Sequence, residues 1–429
     1  MSTATVKKST LNGVVQAPSS KSFAHRIMIC CALSRSKCVI KNVSKSDDMD
    51  ATIGCLCALG AKITKNGSTI HMDSTDFVKN NSNKKFTLDC KESGTTLRIM
   101  IPICCALGLN VTFTGSGRLP KRPLDEYLTL LPEHGIKIEK GEDSLPLTVS
   151  GQLFGDTFTI SPKVSSQYVS GLIFALSLLK NDTTLELSSK LLGGQYVDIT
   201  TQVMADFQVK AEKHSTCYKI NGSQKYVAPK SGKVNVEGDW SKAAFFLCAG
   251  AINGDVIVTN LNTNSCQGDK KIVDILRSLG ADISFTENGV RVKKSSLKGT
   301  VIDALDTPDL VPVVALTCAF ADGDTTITGV ERLKFKESDR LLSTSEMIKS
   351  LGGECTYTTD CMKVIGQGYL KGGNVKAYND HRIVMASAVG ALKTENDTVI
   401  EDAHAVNKSY SEFFDHYNNL GGKAYVKLG

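Results

Sequence analysis

The chain has 429 residues, 41% of them apolar and 22% charged, a composition that is ordinary for a globular protein and excludes disordered, collagen-like and rod-like chains. Its 50 basic and 44 acidic residues leave a net charge of +6. The chain contains no run of five like charges, so the sequence does not indicate a tail that binds nucleic acid. The longest apolar stretches, 310–321 and 99–109, are much shorter than the roughly 20 residues that a membrane-spanning helix needs.

The first ten residues contain no apolar segment of the kind that a secretory signal requires, so we expect none. Fourteen cysteines lie mostly in apolar runs, and none has the paired spacing of a zinc site. We therefore expect reduced cysteines that pack in the interior.

A helix-like stretch, a turn residue and an alternating strand recur six times along the chain. The turn residue suits the left-handed backbone at a helix end. Its successive positions are separated by 75, 73, 72, 72 and 69 residues: Gly60, Gly135, Gln208, Gly280, Gly352 and Gly421. Alanines in small-residue helices repeat in phase: Ala32, Ala106, Ala175, Ala249, Ala319 and Ala391. Six units of about 72 residues, grouped as two domains of three, account for this pattern.

Every small-residue helix opens with a polar cluster, at 19–26, 93–98, 165–167, 238–241, 307–309 and 379–382 in chain order. The Ser, Thr, Asp and Asn residues there are expected to cap the helices. Capping does not explain Lys21, Arg26, Arg98 and Arg382, because a helix N-terminus disfavours a nearby cation. These cations indicate that an anion binds at the helix ends, and facing domains would bring those ends to one cleft.

The same openings carry a family resemblance over nearly the whole chain. The motifs are Ser20-Lys21-Ser22 with Arg26, Ser93-Gly94-Thr95-Thr96-Leu97-Arg98, Arg122-Pro123, Ser165-Ser166-Gln167, Tyr196-Val197-Asp198, Pro308-Asp309, Lys336-Glu337-Ser338-Asp339-Arg340-Leu341, Asn379-Asp380-His381-Arg382 and Lys408. In this order and spacing they resemble the enolpyruvyl transferases of the EPSP synthase (3-phosphoshikimate 1-carboxyvinyltransferase) family.

The resemblance implies an α/β fold: a two-domain inside-out α/β barrel of six βαβαββ units, three per domain, with buried helices and outer sheets. It implies a discontinuous domain, 1–19 plus 237–429, and an inserted domain, 20–236, with the active site in the cleft between them. The implied reaction joins the enolpyruvyl group of phosphoenolpyruvate to the 5-hydroxyl of shikimate 3-phosphate and releases phosphate. The expected protein is a cytoplasmic monomer with small anionic substrates, no metal, no other cofactor, and no nucleic-acid or membrane partner.

The family's roles fall on matching residues of this chain. Asp309, Glu337 and Lys21 are the implied catalytic residues, with Asp309 taking the hydroxyl proton and Glu337 supplying a proton to the methylene carbon. Shikimate 3-phosphate is expected to contact Lys21, Ser22, Arg26, Ser165, Ser166, Gln167, Tyr196, Asp309 and Lys336. Phosphoenolpyruvate is expected to contact Lys21, Gly94, Arg122, Gln167, Arg340, Arg382 and Lys408.

Some positions depart from the family pattern. Gly193 and Arg332 stand where relatives have Ser and Asn, so two contacts to shikimate 3-phosphate are in question, and Arg332 could replace one of them by binding the phosphate. His25 stands at a frequent Asn position, where a side chain on the helix surface is expected.

Two other interpretations remain open. The sister transferase that acts on UDP-N-acetylglucosamine shares this fold, but it has a Lys-Asn pair where this chain has Lys21-Ser22, and a loop cysteine that residues 118–123 lack. A binding protein that has lost catalysis would be expected to lack Asp309, Glu337 or Lys21, and all three are present.

Overall fold

The structure is a computed structural model that describes residues 2–79, 84–191, 194–287 and 289–427. The chain forms two compact units, Lys21–Val236 and the pair of segments Met1–Ser20 and Glu237–Gly429. We call them the inserted unit and the discontinuous unit. No helix in the described ranges combines the length and apolarity needed to cross a membrane.

Each unit contains three four-stranded sheets. In the inserted unit these are, in spatial order, β14 (Lys233–Asn235), β3 (Lys37–Lys41), β5 (Thr69–Asp73), β4 (Lys62–Asn66); β6 (Lys85–Asp89), β7 (Asn110–Thr114), β9 (Leu147–Gly151), β8 (Ile136–Lys140); and β10 (Thr157–Ile160), β11 (Thr183–Leu187), β13 (Cys217–Ile220), β12 (Glu212–Lys213).

The sheets of the discontinuous unit are, in the same manner, β16 (Asp282–Thr286), β17 (Gly289–Lys293), β15 (Gly254–Thr259), β2 (Leu11–Gln16); β18 (Val301–Asp303), β19 (Thr325–Thr328), β21 (Cys361–Ile365), β20 (Glu354–Tyr357); and β22 (Asn374–Val375), β23 (Thr398–Glu401), β1 (Thr3–Lys7), β24 (Lys423–Lys427).

All six sheets share one pattern. The two strands at one edge of the sheet are parallel, and the other two pairs of neighbouring strands are antiparallel. In the sheets whose two parallel strands are consecutive in the chain, such as β6 and β7, a helix connects the two strands. The parallel pair needs such a crossover, whereas the antiparallel pairs need only short turns. The predicted α/β fold of six repeated units is therefore confirmed.

The helices of the inserted unit are α1 (Lys21–Leu33), α2 (Asp47–Ala58), α3 (Gly94–Ala106), α4 (Asp125–Glu133), α5 (Ser166–Leu176) and α6 (Gly194–Asp206). Those of the discontinuous unit are α7 (Trp240–Asn253), α8 (Ile272–Ser278), α9 (Val311–Cys318), α10 (Arg340–Ser350), α11 (His381–Gly390) and α12 (Phe413–Asn419). Short 3₁₀ segments include Leu119–Lys121, Gly268–Lys271, Glu331–Phe335 and Ala403–Lys408.

The small-residue helices form the core of each unit. Helices α9 and α11 are buried along their whole length, and α3 and α5 are nearly so. The six in-phase alanines are all buried. Small side chains allow neighbouring helices to pack closely, which explains why alanine recurs in the middle of each repeat.

The six predicted turn residues all have left-handed backbone conformations. Gly60, Gly135, Gly280, Gly352 and Gly421 have φ between 84° and 104°, and Gln208 has φ 64°. Each follows a helix, as the repeat pattern predicts. Ten of the fourteen cysteines are buried, in agreement with a packing role.

Candidate functional site

The predicted site residues of the inserted unit lie at or near the beginnings of helices. Ser165 caps α5 by accepting a hydrogen bond from the amide of Gln167 (3.2 Å), and Ser166 is buried directly behind it. Ser93 caps α3 in the same way, by accepting from the amide of Thr96. These caps meet the hydrogen-bonding needs of the first turns, while the remaining amides there favour negative charge.

Lys21, the first residue of α1, forms an ion pair with Asp48 of α2. The distance from its Nζ atom to Asp48 Oδ2 is 2.7 Å, and both side chains are largely buried. A buried partner of opposite charge holds a lysine in place more firmly than a surface pair does. Asp48 is a residue that the sequence motifs did not indicate.

Arg26 is buried and connects α1 to α6. Its guanidinium donates to the carbonyl oxygens of Ser22 and Tyr196, both at 2.9 Å, and to the hydroxyl of Thr200 at 2.6 Å. Two predicted contacts of shikimate 3-phosphate, Ser22 and Tyr196, are thus joined through Arg26. The side chain of Arg26 itself is only 2% exposed.

Gly94 lies against the guanidinium of Arg122. A Cβ atom at position 94 would lie 2.6 Å from one terminal nitrogen of Arg122, which is closer than two such atoms approach. The absence of a side chain therefore allows the cation to reach the first turn of α3. Both residues were predicted to contact phosphoenolpyruvate, and the structure brings them together.

Arg98 holds two predicted site elements in place, the side chain of Gln167 and the loop that contains Arg122 and Pro123. Its guanidinium donates to Gln167 Oε1 and to the carbonyl of Pro123, both at 2.9 Å, and lies over the ring of Tyr168. Gln167 in turn donates to the hydroxyl of Thr95. Arg98 is therefore held by neutral protein groups, so its place near a helix N-terminus does not by itself indicate a bound anion.

Asp309 is the centre of a second cluster, in the discontinuous unit. Its carboxylate accepts from Arg340 (2.8 Å), Lys336 (3.1 Å) and Arg382 (3.1 Å). Burial alone would raise the pKa of Asp309, but Arg382, Lys336 and Arg340 outweigh burial and hold that pKa well below its ordinary value. Burial lowers the pKa of Lys336 despite the opposing charge of Asp309.

Arg340 is almost fully buried among three carboxylates. It donates to Asp309, to Glu337 at 2.7 Å and to Asp380 at 2.8 Å, and its pKa is raised because these charges outweigh burial. Glu337 thus pairs with Arg340, whereas Lys336 pairs with Asp309. Asp380 also accepts from Ser338 and caps α11 at the amide of Arg382.

Lys408 joins this cluster through the main chain. Its Nζ atom donates to the carbonyl of Asn379 at 2.8 Å, and Asn379 immediately precedes Asp380. The cluster then contains four cations, Lys336, Arg340, Arg382 and Lys408, and three carboxylates, Asp309, Glu337 and Asp380, so its formal charge is +1. An anionic ligand can exchange with these internal carboxylates for the same donors.

One predicted helix cap is wrong. Residues 307–309 were expected to cap a helix, but α9 begins at Val311 and its N-cap position, Leu310, accepts no side-chain hydrogen bond. The carboxylate of Asp309 binds cations instead. The same cations provide a stronger, charge-assisted interaction than backbone amides would, which accounts for the difference.

The departures from the family pattern have different outcomes. The prediction that His25 lies on the helix surface is wrong, since it is 1% exposed and its ring forms a 2.6 Å hydrogen bond with Thr52 of α2. Arg332 is buried and donates to the carbonyl of Leu305. Gly193 lies outside the described residues.

Asp380 and Asp48 are the residues of these clusters that motif reasoning missed as partners of site residues. Asp380 was recognised only as a helix cap, although its position next to Arg382 was a usable signal. Asp48 has no such signal, because 27 residues separate it from Lys21 and only the packing of α2 against α1 brings them together.

Comparison with known proteins gives one consistent result. The model of the family described as EPSP synthase (3-phosphoshikimate 1-carboxyvinyltransferase) matches residues 6–417. The chain is 40% identical over 417 residues to the 3-phosphoshikimate 1-carboxyvinyltransferase of Clostridium acetobutylicum, covering 96% of both chains. It is 39% identical over 422 residues to that of Clostridium kluyveri, covering 97% of both chains.

Solved structures show the same fold at lower sequence identity. EPSP synthase from Acinetobacter baumannii superimposes with a TM-score of 0.85 at 23% identity, with 100% of both chains covered. The enolpyruvyl transferase NikO from Streptomyces tendae gives a TM-score of 0.79 at 15% identity, with 100% of this chain and 99% of that chain covered. Together with the repeated α/β units and the two residue clusters, these findings show that the chain belongs to the EPSP synthase family.

Proposed function

We propose that this chain is a 3-phosphoshikimate 1-carboxyvinyltransferase that transfers the enolpyruvyl group of phosphoenolpyruvate to the 5-hydroxyl of shikimate 3-phosphate. The observation that carries the proposal is the set of three cations around Asp309, within a chain of this family. Both substrates carry several negative charges, and cations are required to bring them together. The enzyme is proposed to act as a cytoplasmic monomer on these two small anionic substrates.

We assign the substrate contacts as the family resemblance implies. The residues assigned to shikimate 3-phosphate are Lys21, Ser22, Arg26, Ser165, Ser166, Gln167, Tyr196, Asp309 and Lys336. Lys21, Gly94, Arg122, Gln167, Arg340, Arg382 and Lys408 are assigned to phosphoenolpyruvate. The planar fork of arginine suits carboxylate and phosphate groups, because it binds two oxygen atoms at once.

The geometry around Arg26 supports an indirect role for it. Its donors are directed to the carbonyl groups of Ser22 and Tyr196, which hold those residues at the pocket they are proposed to line. Arg26 then acts on shikimate 3-phosphate chiefly through Ser22 and Tyr196.

The reaction is an addition followed by an elimination. The 5-hydroxyl oxygen bonds to C2 of phosphoenolpyruvate and loses its proton, while C3 gains a proton. The tetrahedral intermediate then loses phosphate from C2 and a proton from C3, which restores the double bond. We assign the hydroxyl proton to Asp309 and the C3 proton to Glu337, with Lys21 and Lys336 close to the reacting groups.

The cations around Asp309 also suggest how it becomes a base. In the structure its pKa is held well below the ordinary value, so it binds a proton weakly. When the negative groups of phosphoenolpyruvate share Arg340 and Arg382, the pKa of Asp309 should rise, because like charges disfavour an ionised carboxylate. Substrate binding would thereby move Asp309 towards the basicity that proton transfer needs.

Phosphate release from phosphoenolpyruvate tests the reaction. Release is expected only when shikimate 3-phosphate is also present. Release with UDP-N-acetylglucosamine as the acceptor would move the protein to the sister activity. No release with either acceptor, despite measurable binding of shikimate 3-phosphate, would contradict the proposal and indicate a protein that has lost catalysis.

Site variants test the assigned roles. Asp309→Ala and Glu337→Gln are each expected to lower kcat by about 10²–10⁴, the usual contribution of a general acid or base, while shikimate 3-phosphate still binds. Glu331→Gln alters an exposed carboxylate of the preceding 3₁₀ segment and serves as the matched control. Near-normal turnover in either site variant would remove that residue from its role.

A further inference from the structure

The turn before α11 has an unusual backbone. Tyr378 and Asn379 have φ values of 54° and 53°, so two successive residues other than glycine are left-handed. This conformation is disfavoured for L-residues with a Cβ atom, and it persists only where surrounding contacts hold it. The strained turn directly precedes Asp380 and Arg382 of the cluster around Asp309.

The turn determines the positions of three cations assigned to phosphoenolpyruvate. The carbonyl of Asn379 accepts from Lys408, and the carboxylate of Asp380 accepts from Arg340. Arg382 follows in the first turn of α11, where its amide donates to Asp380. A displacement of the turn would therefore move donors that are proposed to bind the same ligand.

Asp402 holds this turn from the neighbouring chain segment. Its Oδ2 atom accepts a hydrogen bond from the amide of Asn379 at 3.0 Å. Asp402 is itself left-handed, with φ 55°, and its main chain begins the 3₁₀ segment Ala403–Lys408. Its side chain thus anchors the turn, and its backbone leads into the segment that ends at Lys408.

Tyr378 provides a second anchor. Its hydroxyl donates to the carboxylate of Glu346 on α10, the helix that begins with Arg340. The left-handed turn is therefore held from two sides, by Asp402 at Asn379 and by Glu346 at Tyr378.

We propose that Asp402 is a positioning residue for phosphoenolpyruvate: its carboxylate sets the place of the Asn379 carbonyl and, through it, the ammonium group of Lys408. The inference rests on the proposed function, since it takes Lys408 as a ligand of phosphoenolpyruvate. Asp402 acts through Asn379 and is not assigned a contact with substrate.

Two substitutions separate the hydrogen bond from the backbone conformation. Glycine and asparagine both tolerate left-handed φ, so neither should strain position 402. Asp402→Gly removes the acceptor and is expected to raise the KM for phosphoenolpyruvate about tenfold, with the KM for shikimate 3-phosphate nearly unchanged. Asp402→Asn keeps an oxygen acceptor and is expected to stay within about twofold of the parent enzyme.

Three reference variants complete the experiment. Ser223 is another left-handed residue, and its hydroxyl forms an exposed hydrogen bond with the carbonyl of Lys180. Ser223→Gly removes this hydrogen bond and controls for the effect of introducing a glycine. Lys408→Met reports whether Lys408 binds phosphoenolpyruvate at all. Tyr378→Phe removes the second anchor, is expected to raise the same KM severalfold, and provides a test if Asp402→Gly does not fold.

The outcomes distinguish the two hypotheses. An unchanged KM for phosphoenolpyruvate in Lys408→Met would reject the assignment of Lys408 within the proposed function. A raised KM in Lys408→Met with an unchanged KM in Asp402→Gly would overturn the role of Asp402. Equal defects in Asp402→Gly and Asp402→Asn, or a loss confined to kcat and thermal stability, would also overturn it, because a purely structural role would then account for the data.

Discussion

Gly94 stands where any side chain would meet the guanidinium of Arg122. Gly94→Ala should displace that flexible group with little effect on folding, because the obstructing atoms lie at the far end of a long side chain. We expect the KM for phosphoenolpyruvate to rise by about 10- to 150-fold, since a charge-assisted hydrogen bond contributes roughly 1.5–3 kcal/mol. Steady-state kinetics with each substrate varied in turn would measure this.

Gly54→Ala is the matched control for this prediction. Gly54 lies within α2, and a Cβ atom there would meet nothing within 4 Å. The control should leave both KM values unchanged and stabilise the helix by up to about 1 kcal/mol. If Gly94→Ala behaves like this control, Arg122 does not depend on the missing side chain.

Asp269 is a buried carboxylate with a raised pKa. It is buried in the 3₁₀ segment Gly268–Lys271, and none of the described residues hydrogen-bonds to its Oδ1 atom. Burial, together with the charge of Asp309, raises the pKa of Asp269 to about 7. The folded protein therefore binds a proton there that the unfolded chain releases near pH 4.

This raised pKa gives a stability prediction with a definite sign. Between about pH 4 and pH 7 the folded state holds more protons at Asp269 than the unfolded state, so this group makes the protein less stable as the pH rises. Asp269→Asn removes the titration. Its free energy of unfolding should exceed that of the parent protein at pH 7–8, and the difference should vanish near pH 4.

Urea unfolding at a series of pH values would provide the measurement. A pH-independent difference between the two proteins would contradict the prediction, because it would mean that Asp269 does not titrate in this range.

At the scale of the structural element, the six repeats differ in one informative place. Gln208 occupies the left-handed position that glycine occupies in the other five copies. A residue with a Cβ atom is strained there by about 1 kcal/mol relative to glycine. Gln208→Gly should therefore stabilise the protein by about 0.5–1 kcal/mol, measured as the free energy of unfolding in urea.

The reverse substitution tests the same reasoning. Gly280→Ala adds a Cβ atom 3.5 Å from the nearest neighbour, so it introduces backbone strain without a steric clash. It should destabilise the protein by about 1 kcal/mol. Changes of the same sign in both variants would show that the left-handed backbone does not control stability at these helix ends.

The repeats could be predicted from sequence because each signal is local. The left-handed residue after one helix of each repeat, and the alanine in or directly after the other helix, each depend on the nearest turn of backbone and its immediate packing. The partners of the charged residues are not local: 73 residues separate Asp309 from Arg382. The motifs therefore contained Lys336, Arg340 and Arg382, which the structure brings together at Asp309. The roles of Asp48, Asp380 and Asp402 as partners of other residues became visible only in the folded chain, where distant segments lie side by side.

At the scale of the whole molecule, the two units are built from the chain in different ways. The inserted unit is one continuous segment, Lys21–Val236. The discontinuous unit needs both ends of the chain, because β1 lies between β23 and β24, where Thr3 pairs with Glu401 and with Lys427. The segments that lead into and out of the inserted unit also pair, with the amide of Ser20 donating to the carbonyl of Glu237.

The placement of β1 has a consequence for synthesis on the ribosome. The inserted unit can fold once residue 236 has emerged, whereas β1 has no sheet partner until β23 has been made and lacks its second partner until β24 has been made. Nascent chains stalled about 40 residues after position 236 should already contain a protease-resistant inserted unit. Resistance of the discontinuous unit should appear only after β24 has left the ribosome, and simultaneous protection of both units would contradict this order. Although β1 precedes every other strand of the two units, it is thus among the last strands to pair.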